Sequence, residues 1–309
     1  MDSWNKEDIL RLDAKYANAG IHLHQRPFRA AAELLGAPSV FDLVGHPELQ
    51  KITDTYAKLL PEVTSSWPGA GIGLAASIDQ VRKIVLPVAY GSCSIQPWKS
   101  LGFATKEEWW DWCRRDSDIG ALSSFAVADL YDFSYGLNAV ENGNPDASLL
   151  WHMAQSNLAD IANVLPTTFS VDSVIQPICL VAELVLKGTL VWGGVAPDSF
   201  RKGRDGHNVK LLVKRVAELY PHRDDVFVDH VASALPPYVD TRYKPAGLTR
   251  LTVVRLALGV QFLAASALRR ISSVDLAAQM EAGGWPAPRK PFFPNSPTCN
   301  GDLGEFPES

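Results

Sequence analysis

The sequence predicts an all-α protein. Apolar residues recur at steps of three and four over long stretches, which is the period of one buried helix face. Runs of alternating apolar and polar residues between turn signals, the pattern of half-buried strands, do not stand out in the 309 residues. A content of 47% hydrophobic and 20% charged residues is typical of a globular protein that buries a sizeable core.

The first half of the chain is predicted to form helices separated by proline and glycine. They cover residues 5–18, 27–35, 47–60, 74–88, 119–137 and 145–165. Asn5 with Asp8, and Thr105 with Glu108, have the spacing of a capping box. The glycine-rich stretch 69–73 is predicted to be a hinge, because Leu74 stands where a dinucleotide-binding loop needs its third glycine.

Four longer helices are predicted in the second half. The first begins near Val174 and ends at Gly193, with Pro177 in its first turn, where the missing donor costs little. The others begin near Val209, Asp224 and Leu248, and the last is apolar over much of its circumference, as a central bundle helix is.

Three regions follow from this pattern. The hydroxyl-rich stretch 165–170 predicts a boundary between a helical region at 1–168 and a helical bundle at 169–282. Residues 283–309 contain six prolines and are predicted to be an extended tail. Its aromatic residues Trp285, Phe292 and Phe293 offer a means of pinning part of it to the body or to a second subunit.

Three short motifs carry a resemblance to a known family. They are AELVLKG at 182–188, Gly-His-Asn-Val at 206–209, and Tyr238 followed by Thr241-Arg242-Tyr243. In order and spacing, over about a third of the chain, they resemble the HEPN (higher eukaryotes and prokaryotes nucleotide-binding) domains. The resemblance implies a HEPN-like up-and-down helical bundle, preceded here by a second helical region of no recognised family.

HEPN-like domains commonly pair, and the apolar fourth helix has more apolar surface than an exposed helix should show. The sequence therefore predicts a homodimer. The alternative is that helices of the first half cover this surface within one chain.

Charge is unevenly distributed along the chain. Between Arg201 and Arg255 there are eleven Lys/Arg and six Asp/Glu, a net charge of +5, which leaves −10 for the rest of a chain whose net charge is −5. A basic segment in an acidic protein points to an anionic partner such as a nucleotide or RNA; the alternative, which basic clusters of this size usually represent, is a solvated helix face. The predicted ligand-binding residues are Arg201, Arg204, Lys210, Arg242 and Tyr243.

A second hypothesis is a metal-independent endoribonuclease of the toxin or phage-defence type. Ribonucleolytic HEPN proteins use an Arg-x(4–6)-His motif, and Arg201 and His207 have this spacing. The resemblance implies that the arginine would neutralise the scissile phosphate and the histidine would transfer a proton. No histidine follows Arg242, where the family usually places the motif, so His207 is predicted to cap or pack the helix opening. Whether the protein is an enzyme stays open, and a helical scaffold for other proteins is a third hypothesis.

The sequence indicates neither a membrane segment nor a metal site. The start is polar, no stretch approaches the roughly 20 apolar residues that span a bilayer, and the four cysteines are far apart. His22, His24 and His46 have no carboxylate or cysteine set that would complete a metal site. We therefore expect a cytoplasmic protein without a metal, a cofactor or a membrane segment.

Overall fold

The structure, a computed structural model, confirms the all-α class: 66% of the residues are helical and 5% lie in strands. It describes residues 4–43, 45–63, 69–88, 94–200, 204–237, 246–284 and 288–293. The helices are α1 Lys6–Asn18, α2 Arg26–Leu35, α3 Pro47–Leu59, α4 Pro97–Ser100, α5 Lys106–Trp112, α6 Ser117–Val140, α7 Pro145–Val164, α8 Ile175–Trp192, α9 Val209–Leu219, α10 Asp225–Ala234, α11 Arg250–Arg269 and α12 Leu276–Ala282. The strands are β1 Gly71–Ser77 and β2 Gln80–Leu86.

The chain forms two compact units, Met1–Pro68 and Gly69–Ser309. The boundary predicted at 165–170 falls inside the larger unit, because α7 packs along α8 on the other side of this stretch. Polar and proline residues there mark a turn between two helices of one core, and the regions 1–168 and 169–282 are not separate bodies.

The smaller unit is a three-helix core of α1, α2 and α3. Ile9 and Leu12 of α1 pack with Ile52 and Tyr56 of α3, and all four are buried. The predicted capping box is present: the Asn5 side chain accepts from the backbone N–H of Asp8, and the Asp8 carboxylate accepts from that of Asn5. Local signals therefore placed α1 correctly.

A β-hairpin stands where the sequence predicted a hinge and a helix. β1 and β2 pair antiparallel from Gly71 opposite Leu86 to Ser77 opposite Gln80. Gly73 is needed for close packing rather than for flexibility, because a Cβ there would lie 2.4 Å from Oε1 of Gln261. The prediction failed because the neighbour that requires this glycine lies on α11, far along the chain.

Gln261 completes the hydrogen bonding of the hairpin. Its Oε1 accepts from the backbone N–H of Leu74 at 2.9 Å, and its Nε2 donates to the Leu74 carbonyl at 3.0 Å. The same Nε2 donates to the carbonyl of Ala126 on α6 at 2.8 Å. One buried amide thus replaces a neighbouring strand at Leu74 and ties β1 to α6 and α11.

The centre of the larger unit is built from α6, α7, α8 and α11. The helix α11 packs against α6, α8 and β1. Six of the residues that predicted its apolar surface, Val253, Val254, Leu256, Leu258, Val260 and Phe262, are buried within the chain, and the seventh, Leu251, is half-buried. The bundle expected from 171–273 alone therefore includes two helices of the first half. The described parts of 171–273 contain no strand.

Two helical segments are long and apolar enough to cross a membrane. They are Val171–Trp192 and Arg250–Arg269, and 83% of the most apolar window of each is buried inside the protein. Burial of this extent is that of core helices, so their composition is weak support for a membrane segment.

A network of buried charges joins the end of α11 to α6, α12 and the residue before α10. Arg269, fully buried at the end of α11, donates to Asp129 at 2.6 Å and Asp132 at 2.8 Å, both on α6. It also donates to Asp224, just before α10, at 3.1 Å. Asp132 in turn accepts from the first two backbone N–H groups of α12. One guanidinium thus fixes the relative positions of four elements.

Candidate functional site

Two of the sequence motifs meet in space around a buried carboxylate. Glu183 and Lys187 lie one turn apart on α8, with side chains 6% and 11% exposed. The Lys187 ammonium is 2.6 Å from Oε1 of Glu183. A charged pair in the interior of an otherwise apolar helix is costly unless further partners satisfy it.

His207 is the second partner of Glu183. Its Nδ1 lies 3.1 and 3.0 Å from the two carboxylate oxygens, and its side chain is 52% exposed. The carboxylate is thereby bound by one buried cation and by one imidazole that reaches the surface. A row of polar contacts thus runs from Lys187 and Glu183 on α8 to His207 at the opening of α9.

Gly206 allows the chain to approach α8 closely enough for this contact. A Cβ at Gly206 would lie 2.2 Å from the carbonyl oxygen of Phe200, so a side chain does not fit. Two short 3-10 turns, Pro197–Phe200 and Arg204–His207, bring the chain back from the end of α8. The turn that carries His207 therefore packs directly on Phe200, with no room for a side chain at position 206.

Phe200 forms the apolar wall of the site. It is buried, and its ring centroid is 5.6 Å from Nζ of Lys187 and 5.7 Å from Cζ of Arg215 on α9. Cations at this distance are attracted to an aromatic ring. We call Glu183, Lys187, Phe200, His207 and Arg215 the Glu183 cluster.

The geometry defines what His207 is able to do chemically. When the imidazole is neutral, a proton on Nδ1 is stabilised by the Glu183 carboxylate, which places the lone pair on Nε2. When it is protonated, the carboxylate stabilises the imidazolium. The arrangement suits either proton transfer at Nε2 or a contact with an anion.

Of the two roles expected of His207, to cap or to pack the opening of α9, the capping role is wrong. Asn208 is the cap of α9, and its Oδ1 accepts from the backbone N–H of Leu211 at 3.2 Å. Asparagine is among the preferred residues at this position, and it leaves the imidazole one residue earlier to turn towards α8.

The structure describes only some of the other predicted site residues. Lys210 is exposed in the first turn of α9. Arg204 lies in the Arg204–His207 turn, and nothing further is described of its side chain. The described residues do not include Arg201, Arg242 or Tyr243. The motif formed by Arg201 and His207 therefore stays a sequence-based prediction.

Two arginines of the predicted basic segment bind other groups of the same chain. Arg223 binds Asp275 at 2.6 Å and Glu281 at 3.3 Å. Arg250 donates to the carbonyls of Leu165 at 3.0 Å and Asp79 at 3.2 Å. Both hold neighbouring segments together, so the charge that faces a partner is smaller than the sequence suggested. Among the described residues it is concentrated on α9, in Lys210, Lys214 and Arg215.

Sequence reasoning missed Glu183 and Lys187 as site residues. They belong to a stretch that served as an apolar helix pattern and as a motif of the family resemblance, although a charged pair at positions i and i+4 on the buried side of such a helix is itself a signal of a site. Within the described residues, no group of three or more His, Cys, Asp or Glu is placed to hold a metal ion.

No protein-family model, curated protein or solved structure matches this chain.

Proposed function

We propose that this protein is a HEPN-like binding module for an anionic partner, a nucleotide or RNA, bound where the Glu183 cluster meets α9. The observation that carries the proposal is the cationic opening of α9 beside the Glu183 cluster. Lys210 and Lys214 lie on one side of α9, four residues apart, and His207 immediately precedes its cap. The first turn of an α-helix also presents free backbone N–H groups and favours negative charge.

The internal pairing of the Glu183 cluster supports binding at its edge. Lys187 compensates the buried carboxylate at 2.6 Å, so His207 is not needed to neutralise Glu183. A phosphate at the opening of α9 would meet Lys210 and the nearby Arg215, while the imidazole stays on Glu183. Arg201, Arg204, Arg242 and Tyr243 complete the proposed contact set on sequence grounds alone.

Fluorescence anisotropy with labelled single-stranded and structured RNA, and with nucleotides, tests this proposal. Affinity should fall steeply as salt rises, because phosphate contacts release counterions. Lys210→Ala, Arg201→Ala and Arg242→Ala should each weaken binding and reduce the salt slope by about one. His207→Ala should leave binding nearly intact.

The control is Lys106→Ala, which removes an equal charge from an exposed position on α5 of the same unit. Equal affinities for the wild type, the Lys210→Ala protein and this control would contradict the proposed surface.

A second function, metal-independent RNA cleavage by Arg201 and His207, is favoured by one specific observation. The Glu183 carboxylate holds Nδ1 of His207 at 3.0 Å, which is how proton-transferring histidines are commonly oriented. Cleavage of RNA that persists in EDTA and disappears in His207→Ala, with RNA binding retained, would establish this function in place of binding alone.

Two further parts of the proposal concern association and location. We propose a homodimer in the cytoplasm, but the apolar surface of α11 gives the dimer no support, because α6, α8 and β1 cover it within the chain. Sedimentation equilibrium at micromolar concentration tests the dimer, and a monomer there would reject it. A protein-binding scaffold is the remaining alternative, favoured if neither RNA nor nucleotides bind.

A further inference from the structure

Residues 288–293 lie in a groove lined by acidic and aromatic side chains of the larger unit. The segment reads Pro-Arg-Lys-Pro-Phe-Phe. The residues that it meets come from α6, α11 and α12: Asp118, Phe125, Asp129, Phe262 and Glu281. We call this surface the Asp129 groove.

Arg289 is bound by a carboxylate and by two aromatic rings, the groups with which protein sites bind an arginine ligand. Its Nη1 and Nη2 donate to the two oxygens of Asp129 at 2.9 and 2.7 Å, so that both fork nitrogens engage one carboxylate. Its guanidinium carbon lies 4.4 Å from the ring centroid of Phe125 and 4.7 Å from that of Phe262. The side chain is only 7% exposed, so an extended segment has delivered a charge deep into the protein.

Phe292 provides the second anchor, three residues later. It is buried, and its ring centroid lies 5.5 Å from that of Phe262. Lys290, between the two anchors, binds Asp118 in a pair that is open to solvent. A proline precedes each anchor, at positions 288 and 291, which favours an extended backbone there. The arrangement is that of a peptide bound by an arginine and an aromatic residue.

The Asp129 groove has a negative charge that Arg289 offsets. Asp129, Asp132 and Asp224 are all buried around Arg269. Without Arg289, Asp129 and Asp132 would share the guanidinium of Arg269, and the ring of Phe125 would lose its cation. A groove of this kind selects a planar cation that stacks on rings, which is a property of arginine and not of lysine.

We propose that the Asp129 groove is a recognition site for an extended peptide with an arginine and, three residues later, a phenylalanine. Residues 288–293 occupy it as a ligand built into the chain. The segment competes with any peptide of the same chemistry, so the groove binds such a partner only when its own segment is displaced. The inference is independent of nucleotide or RNA binding at α9.

The first test uses the full chain and a fluorescent peptide with the sequence of residues 286–295. Arg289→Ala combined with Phe292→Ala weakens the internal segment, and this protein should bind the peptide at least about tenfold more tightly than the wild type does. The matched control is Lys290→Ala, which removes the same charge from the exposed pair and should leave peptide binding at the wild-type level. A peptide with lysine in place of its arginine should bind at least about tenfold more weakly.

The second test uses the unaltered protein and does not depend on a variant that folds. Hydrogen–deuterium exchange is followed by mass spectrometry with and without saturating peptide. Uptake in residues 288–293 should rise when the peptide is present, because it takes the place of the internal segment. Unchanged uptake, or a peptide affinity that is the same for the double variant, the Lys290→Ala protein and the wild type, would overturn the proposal.

Discussion

Arg269 is a single residue on which the geometry of four elements depends. Forming a buried ion pair contributes little net stability, because desolvation offsets the attraction, but removing one partner leaves buried charge without compensation. In this protein the removal would leave Asp132 without a cation, since Arg289 reaches only Asp129, and would leave Asp224 with His222 and Arg223 alone.

We expect Arg269→Met to lower the free energy of unfolding by roughly 3–5 kcal/mol. Urea titration followed by circular dichroism measures this. The control, Arg115→Met, breaks an exposed pair with Asp111 and should change stability by less than about 1 kcal/mol. Similar losses in both proteins would show that the buried network has no special role.

Two carboxyls that contact Arg269, those of Asp224 and Asp275, make the free energy of unfolding depend on pH. Burial opposes ionisation of Asp224, but the hydrogen bond from His222 and the charges of Arg269, His222 and Arg223 outweigh it and hold the pKa well below its ordinary value. Burial likewise opposes ionisation of Asp275, while hydrogen bonds from Arg223 and the Ala278 backbone, and the charge of Arg269, lower its pKa. A lowered folded-state pKa gives stability that is present above the unfolded pKa, near 3.9, and is lost as the pH falls through the folded value.

Asp275→Asn should therefore be less stable than the wild type at pH 7, and the difference should shrink as the pH falls below about 4. Thermal unfolding at a series of pH values between 7 and 3 measures it. Asparagine retains a side-chain oxygen that can cap α12, so the comparison isolates the charge. A difference that stays constant over the series would contradict the assignment.

At the scale of elements, the loop between α8 and α9 depends on the contact of Gly206 with Phe200. Gly206→Ala should push the turn away from α8, separate His207 from Glu183 and lower stability by about 1–3 kcal/mol. Nitrogen-15 shifts of the His207 imidazole should change from a state protonated at Nδ1 towards a mixture of tautomers. Gly283→Ala is the control, because a Cβ there meets only ordinary contacts at 3.4 and 3.5 Å. An unaltered imidazole spectrum in Gly206→Ala would show that the turn tolerates a side chain.

The hairpin depends in the same way on an element that is distant in the sequence. Gln261→Leu leaves the backbone N–H and carbonyl of Leu74 buried without that partner, at a cost of about 1–3 kcal/mol for each group. Urea unfolding measures the loss. Gln279→Leu, at an exposed site on α12, should stay within about 0.5 kcal/mol of the wild type.

Elements whose signals are local were predictable from the sequence, and those fixed by distant contacts were not. Asn5 and Asn144 mark the starts of α1 and α7 because each caps the backbone that follows it. The hairpin was missed because the need for glycine at position 73 comes from the side chain of Gln261, which lies on α11. Glu183 was missed as a site residue because its partner His207 lies 24 positions away, on another element.

At the scale of the whole molecule, the core of the larger unit crosses the predicted boundary. A fragment of residues 69–309 should unfold cooperatively in urea, because it retains α6, α7, α8 and α11 together. A fragment of residues 169–282 should not, because α8 and α11 would lose the helices that bury them. Cooperative unfolding of the shorter fragment would restore the domain division that the sequence suggested.

The pairing of Gln261 with Leu74 also has a consequence for biosynthesis. The two residues are 187 positions apart. At elongation rates of about 5–20 residues per second, Gln261 is therefore synthesised roughly 10–40 s after Leu74. During this interval β1 is an unprotected strand edge on the ribosome, where it can pair with neighbouring chains. We expect nascent chains arrested before residue 261 to bind a strand-seeking chaperone, and chains arrested after α11 has emerged to release it.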